Sequence, residues 1–242
     1  MLTTLRVLAA EALGTFYLCF AGIAAILCTA PPINSGGGLV AIALAHGLAL
    51  SIAVSNFGGI SGAHVNPAVT LAALVTRRIT TPLALLYIVA QLLGASIAAL
   101  TCREIFPAEA INAAMLGIPL PAPWAGAGTV FCVEFVLTFL LVTSIFGTAI
   151  DERGKTVKIG GFGIGLTVAF DILAGGPITG ASMNPARSFG PALVMGHWDW
   201  HWMYWLAPVL GGCAAALFYQ HFLLVTPDVP PVREEYLDRG RR

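Results

Sequence analysis

Six stretches of the chain, at about 5–28, 38–57, 82–102, 129–149, 157–175 and 202–225, are long and apolar enough to cross a lipid bilayer, which takes about 20 mostly apolar residues. No other feature narrows the possible folds as far, because every backbone polar group in lipid must find its partner within the protein. Composition agrees: 57% of the 242 residues are hydrophobic and 10% are charged, against roughly 25% charged in a soluble domain. That excludes a soluble globular enzyme, and it excludes disorder, which needs low hydrophobicity and high charge. Twelve basic and twelve acidic residues leave no excess positive charge to bind nucleic acid. The first stretch holds Glu11 and lacks a small-residue cleavage site, so it reads as a retained helix and not as a signal peptide.

With six spans, Arg6, Arg77, Arg78, Arg153, Lys155, Lys158, Arg233, Arg239, Arg241 and Arg242 share one side, and only Arg103 lies in a loop on the other. Cytoplasmic loops are the ones enriched in Lys and Arg, so both termini are expected in the cytoplasm. The charged tail at 226–242 reads as a disordered cytoplasmic end. Cys19, Cys28, Cys102, Cys132 and Cys213 have no CxxC or His-paired spacing and read as buried free thiols, implying no redox compartment.

Two apolar segments, 66–77 and 184–195, are only about half the length of a span. They sit at matching places in two similar halves. Residues Ser61 to Val69 align with Thr179 to Arg187 at an offset of 118, and Glu11 to Phe16 align with Glu134 to Phe139 at an offset of 123. Three spans per half force the halves into opposite orientations, so the repeat is inverted, with its pseudo-two-fold axis in the membrane plane. The short segments are then re-entrant half-helices that line a cavity from opposite faces.

Asn66-Pro67-Ala68 and Asn184-Pro185-Ala186 are sound helix starts, since an Asn oxygen accepts from orphan N–H groups of the first turn and Pro at the first position has no N–H to lose. Two such starts meeting at the midplane bring together two positive helix ends, each roughly half a charge. With its oxygen turned to the backbone, each Asn is expected to point its NH2 donors into the lumen. A water held there accepts from both and is poorly placed to relay a proton, while the helix ends repel cations.

His64-Val65-Asn66-Pro67-Ala68-Val69 and Gly180-Ala181-Ser182-Met183-Asn184-Pro185-Ala186-Arg187-Ser188 resemble, without a gap, the two signatures of the aquaporin family, and the likeness runs over about 5–225. It implies an all-α membrane protein with six transmembrane helices and two half-helices, one channel domain over 1–225 (repeats about 5–105 and 128–225), a homotetramer with one pore per protomer, and no cofactor or metal. It implies backbone carbonyls of Gly62, Ala63, His64, Gly180, Ala181 and Ser182 along the pore, and Glu11 and Glu134 bracing those loops, which also accounts for carboxylates inside membrane helices.

The family's filter positions fall on His46, Ile172, Ala181 and Arg187, with Arg187 expected to offer two free donors to a passing solute. Strict water channels resemble Phe, His, a small residue and Arg in that order; here Ile172 replaces the narrowing histidine, and the pore is expected to be somewhat wider and less polar on that wall. The family's glycerol channels carry an acidic residue after the second motif's Arg, and this chain has Ser188. The set resembles the plant tonoplast subgroup and aquaporin-8, which implies permeability to ammonia, hydrogen peroxide or urea beside water. The histidine that some tonoplast ammonia channels draw from the third loop has no counterpart at 103–128. Ala181 stands where mercury-sensitive relatives have Cys, so mercurials are expected to act weakly. The plasma membrane is the expected location.

Asp171 should point about 100° away from Ile172, bonded to nearby backbone or lying at a protomer interface, with a pH-sensing role as the sharper reading. His197, His201 and His221 cluster with Trp and Tyr residues that read as an interfacial aromatic belt, and no metal is expected there. Gly14, Gly22, Gly94, Gly161 and Gly165 supply small helix faces. A strictly water-selective pore is the alternative within the family, and an ion-coupled secondary transporter is the alternative class, since it too uses inverted repeats and broken helices. A non-transporting adhesion protein has no use for both Asn residues and Arg187.

Overall fold

The computed structural model describes residues 2–155 and 158–224. The tail at 226–242, with its basic residues, lies outside the described residues, as do 156 and 157. Ten α-helices run in the order α1 (Leu2–Thr29), α2 (Gly38–Ser61), α3 (Pro67–Val75), α4 (Thr81–Ile105), α5 (Ala108–Ala113), α6 (Ala127–Ile145), α7 (Glu152–Lys155), α8 (Gly160–Thr179), α9 (Pro185–Met195) and α10 (Met203–Phe218) among the described residues. Single π-helical stretches, Phe146–Ile150 and Tyr219–Leu223, prolong α6 and α10. Among the described residues six helices have the length and apolar character to cross a membrane: α1, α2, α4, α6 with its extension, α8, and α10 with its extension. Each of the six expected stretches coincides with one of them. The loop after α4 contains α5 and a 3-10 turn at Met115–Gly117.

The packing repeats itself between the halves. Helices α2 and α8 lie along each other and cross where Gly47 meets Gly165; a Cβ on Gly47 would stand 2.6 Å from the Gly165 carbonyl oxygen. These glycines are 118 residues apart, the offset of the repeat, so the pseudo-two-fold axis passes between them. In the same way α1 crosses α4 at Ala12 and Gly94, and α6 crosses α10 at Phe135 and Gly211. Within lipid there is no hydrophobic drive to bring helices together, so such backbone-to-backbone approaches and their dispersion contacts hold the bundle. The outward faces carry leucine, isoleucine and valine, such as Leu85, Leu93 and Ile97, left for lipid.

Each half-helix leaves its own half. Helix α3 packs chiefly on α10, and α9 on α4. The buried-thiol reading holds for Cys19 and Cys102 only: Cys28 and Cys213 are half-buried and Cys132 is exposed on an outer face. A small residue on a lipid-facing helix surface loses nothing by exposure, which apolar context alone does not reveal.

Candidate pore

Two five-residue loops, Ser61–Val65 and Thr179–Met183, deliver the chain from a span to a half-helix. Both adopt the same irregular backbone: φ is +85° at Gly62, +46° at Ala63 and +55° at Val65, and +82° at Gly180, +44° at Ala181 and +55° at Met183. Left-handed conformations are costly for residues with a Cβ, most of all for β-branched Val65, and persist only where the surroundings hold them. Two carboxylates do so here. Glu11 accepts from the Ser61 hydroxyl at 2.7 Å, the His64 N–H at 2.9 Å, the Val65 N–H at 2.7 Å and the Gln91 amide at 2.8 Å. Glu134 accepts from the Thr179 hydroxyl at 2.7 Å, the Ser182 N–H at 2.9 Å and the Met183 N–H at 2.8 Å. Both side chains are fully buried. Tyr87 and Tyr204 donate to the carbonyls of Ser61 and Thr179 at 2.9 and 2.6 Å.

Each loop ends in a cap. The Asn66 oxygen accepts from the Ala68 N–H at 2.8 Å, and the Asn184 oxygen accepts from those of Ala186 and Arg187 at 3.0 and 3.3 Å. Pro67, Ala68, Pro185 and Ala186 are buried behind the two Asn residues as the first helical turns. The sequence reading left both NH2 hydrogens of each Asn to the lumen. One is already committed: Asn66 Nδ2 donates to the Met183 carbonyl and Asn184 Nδ2 to the Val65 carbonyl, each at 2.9 Å. One N–H per Asn remains for a solute.

A cavity of about 390 Å³ runs along this axis. His46 from α2, Ile172 from α8, Ala181 from the second loop and Arg187 from α9 all line it, as do Asn66 and Asn184. Toward the other end lies Arg78, whose guanidinium sits 5.2 Å over the Phe146 ring. Gly62, Ala63, His64 and Ser182 also contribute to the wall, whereas Gly180 packs toward Pro119 and Leu120. His46 Nδ1 lies 2.8 Å from the Ile42 carbonyl. A carbonyl can only accept, so that nitrogen carries a proton, and Nε2 of the neutral ring presents a lone pair. Arg187 Nη1 donates to the Gly117 carbonyl at 2.6 Å, one bond from a guanidinium that carries five N–H groups.

Gly117 closes a turn in which Met115, Leu116 and Gly117 all have positive φ, and Leu116 is fully buried. No motif marks Gly117 in the sequence. The tyrosine and hydroxyl partners, including Thr70, which accepts from the Gln91 amide at 3.0 Å, and Ser188, which bonds the Ser182 hydroxyl, had a signal: Ser61 and Thr179, Thr70 and Ser188, and Tyr87 and Tyr204 stand 118, 118 and 117 residues apart, near the repeat offset. Asp171 departs from its expected backbone bonding. It is fully buried, yet neither carboxylate oxygen has a hydrogen-bond partner among the described residues. His201 accepts from the Trp205 indole N–H at 3.0 Å.

Helices that span a membrane around a polar-tipped, otherwise apolar cavity define a membrane channel. The profile of the "Major intrinsic protein" family matches residues 1–219. "Aquaporin TIP4-4" of Zea mays is 41% identical over 239 residues, covering 96% of this chain and 92% of that protein. "Probable aquaporin TIP3-2" of Arabidopsis thaliana is 44% identical over 242 residues, covering 94% and 87%. In fold the chain is similar to the aquaglyceroporin from Plasmodium falciparum, with a TM-score of 0.80 at 23% identity over 90% of this chain and 96% of that one. The chain belongs to the major intrinsic protein family, the aquaporins, and is a passive membrane channel for water and not an enzyme.

Proposed function

We propose that the pore carries water together with small neutral solutes of the size of ammonia, hydrogen peroxide and urea, while excluding protons and ions, in a single channel domain over 1–225. One observation carries this reading: His46, Ile172, Ala181 and Arg187 come from four separate elements onto one cavity wall, with two apolar side chains among the polar ones. Such a constriction offers donors from Arg187 and a lone pair from His46, but no second ring beside them. Pore width and the groups lining it set which neutral molecules pass. Charge is refused by other means. The cation Arg187 and two capped helix N-termini raise the potential along the axis. The remaining N–H groups of Asn66 and Asn184 bind a water by its lone pairs and break the chain of donors that proton relay needs.

Both termini are assigned to the cytoplasm by the Lys and Arg distribution. The TIP-type names of the relatives give no support to the plasma membrane for this chain and favour an internal membrane. A homotetramer with one pore per protomer follows from the family resemblance, and the mass of the detergent-solubilised protein tests it.

The function is tested in liposomes by following internal alkalinisation after an ammonia gradient is imposed, beside empty vesicles and vesicles carrying Arg187→Ala. Faster alkalinisation than in empty vesicles is expected. No gain, with osmotic water flow intact, would leave a pore restricted to water.

A further inference from the structure

We propose that Gly22 on α1 sets the width of the pore at the filter by giving the His46 ring a place to lie, and is thus a fifth position of solute selection beside His46, Ile172, Ala181 and Arg187. The His46 ring is almost fully buried, and its Nδ1 is tied one turn back to the Ile42 carbonyl of its own helix at 2.8 Å. That bond directs the ring toward α1, which packs along α2. Where the ring arrives, α1 has no side chain. A Cβ on Gly22 would fall 2.5 Å from both Cδ2 and Cε1 of His46 and closer still to Nε2. Carbon atoms pack at about 3.5–4.0 Å, so a single methyl group there asks for a displacement of about 1 Å.

The structure leaves one direction for that displacement. The backbone of α1 is fixed on the adjacent face, where Cys19 and Ile23, each 1% exposed, pack into a core cluster with Ala95, Ala98 and Leu116. Helix α2 is held by its crossing with α8 at Gly47 and Gly165. The open side of the His46 ring is the cavity, which it lines together with Leu18, one turn before Gly22, and Arg187. A side chain at position 22 therefore pushes the imidazole into the lumen. There a shift of about 1 Å is large against a water of 1.4 Å radius.

The inference rests on the proposed reading of His46 as part of the constriction. It is tested with Gly22→Ala, His46→Ala and the double variant in liposomes, by osmotic water flow per copy and by ammonia-driven alkalinisation. Gly22→Ala is expected to slow water by about tenfold and ammonia by at least as much, since both depend on pore width. The double variant is expected to match His46→Ala alone, whatever the rate of that variant, because the clash disappears with the ring. Wild-type water flow in Gly22→Ala would overturn the inference, and so would a double variant as slow as Gly22→Ala, which would place the effect in α1–α2 packing. If Gly22→Ala fails to reconstitute, recovery of folded protein in the double variant supports the clash and failure of both overturns it. Absence of ammonia flux in the wild type bears on the solute reading alone, because the water comparison stands without it.

Discussion

Asn66 donates its side-chain amide to the Met183 carbonyl at 2.9 Å, and across the pseudo-two-fold axis Asn184 returns the bond to Val65 at the same distance. Each Asn caps its own half-helix with its oxygen and ties down the opposite loop with its nitrogen. The two tasks separate in variants. Asn184→Ser keeps a capping oxygen but cannot reach Val65, and is expected to lower unfolding stability by about 1–2 kcal/mol. Asn184→Ala loses the cap as well, about 1 kcal/mol more. Thermal unfolding of both in detergent checks the order, and equal losses would contradict it.

Glu134→Ala leaves the N–H groups of Ser182 and Met183 and the Thr179 hydroxyl without their acceptor in a site closed to solvent. A buried donor left unsatisfied costs about 1–3 kcal/mol. The variant should lose about 3 kcal/mol or more and most of its water flow together. A large stability loss with normal flow would show that the left-handed loop holds its shape unaided.

Ala181 lines the cavity, and none of the five cysteines does. The wild type is therefore expected to keep its water flow in mercuric ion, and Ala181→Cys to be blocked and then restored by a thiol reductant. Inhibition of the wild type to the same degree would show that a thiol outside the cavity governs the flow.

Asp171 has no bonding partner for its oxygens among the described residues although it is fully buried. A carboxyl group in that setting costs more than an apolar side chain of similar size. Asp171→Leu should raise stability by about 1 kcal/mol or more, read by thermal unfolding. Water permeability of Asp171→Asn should follow the wild-type curve across pH; a displaced curve would make the residue a sensor.

Outside the membrane helices, Asp151 accepts from the Arg153 side chain and backbone and from the Tyr219 hydroxyl, and Arg153 donates onward to the Leu223 carbonyl at 2.6 Å. The Arg153 hydrogen bond, joined by the backbone N–H and Tyr219, holds the Asp151 carboxyl down at about 2. An unfolded aspartate titrates near 4. The native state thus gains from ionised Asp151 fully above about pH 4, and the gain is lost as pH falls toward 2. Asp151→Asn should melt earlier than the wild type by a constant margin from pH 8 to about 5. Below pH 4 the margin should close. A margin that changes between pH 6 and 8 would contradict this.

The six spans, the half-helices and the paired Asn caps were legible because each is written locally, in apolar length or in the Asn-Pro start. The bracing by Glu11 and Glu134 came from the family resemblance: a carboxylate inside a span demands partners, but the span does not say which. Gly117 was not. Its contribution is a backbone carbonyl, which every residue has, and its approach to Arg187 depends on how the loop folds back. The committed hydrogen of each Asn was hidden for the same reason, since its acceptor is main chain from the other half. The burial of Asp171 was read from its place in an apolar span, but its lack of a backbone partner was not, because that depends on which groups of the neighbouring helices face it.

The placement of the half-helices has a consequence for biogenesis. Helix α3 is made early, yet the surface it lies on, α10, is the last helix of the described chain to leave the ribosome. At roughly 5–20 residues per second of synthesis, the first Asn-Pro helix waits on the order of ten seconds before its bed exists. A nascent chain released before Met203 carries every residue of the first half and still lacks the main surface on which α3 lies, so the conduit waits for a helix of the second half.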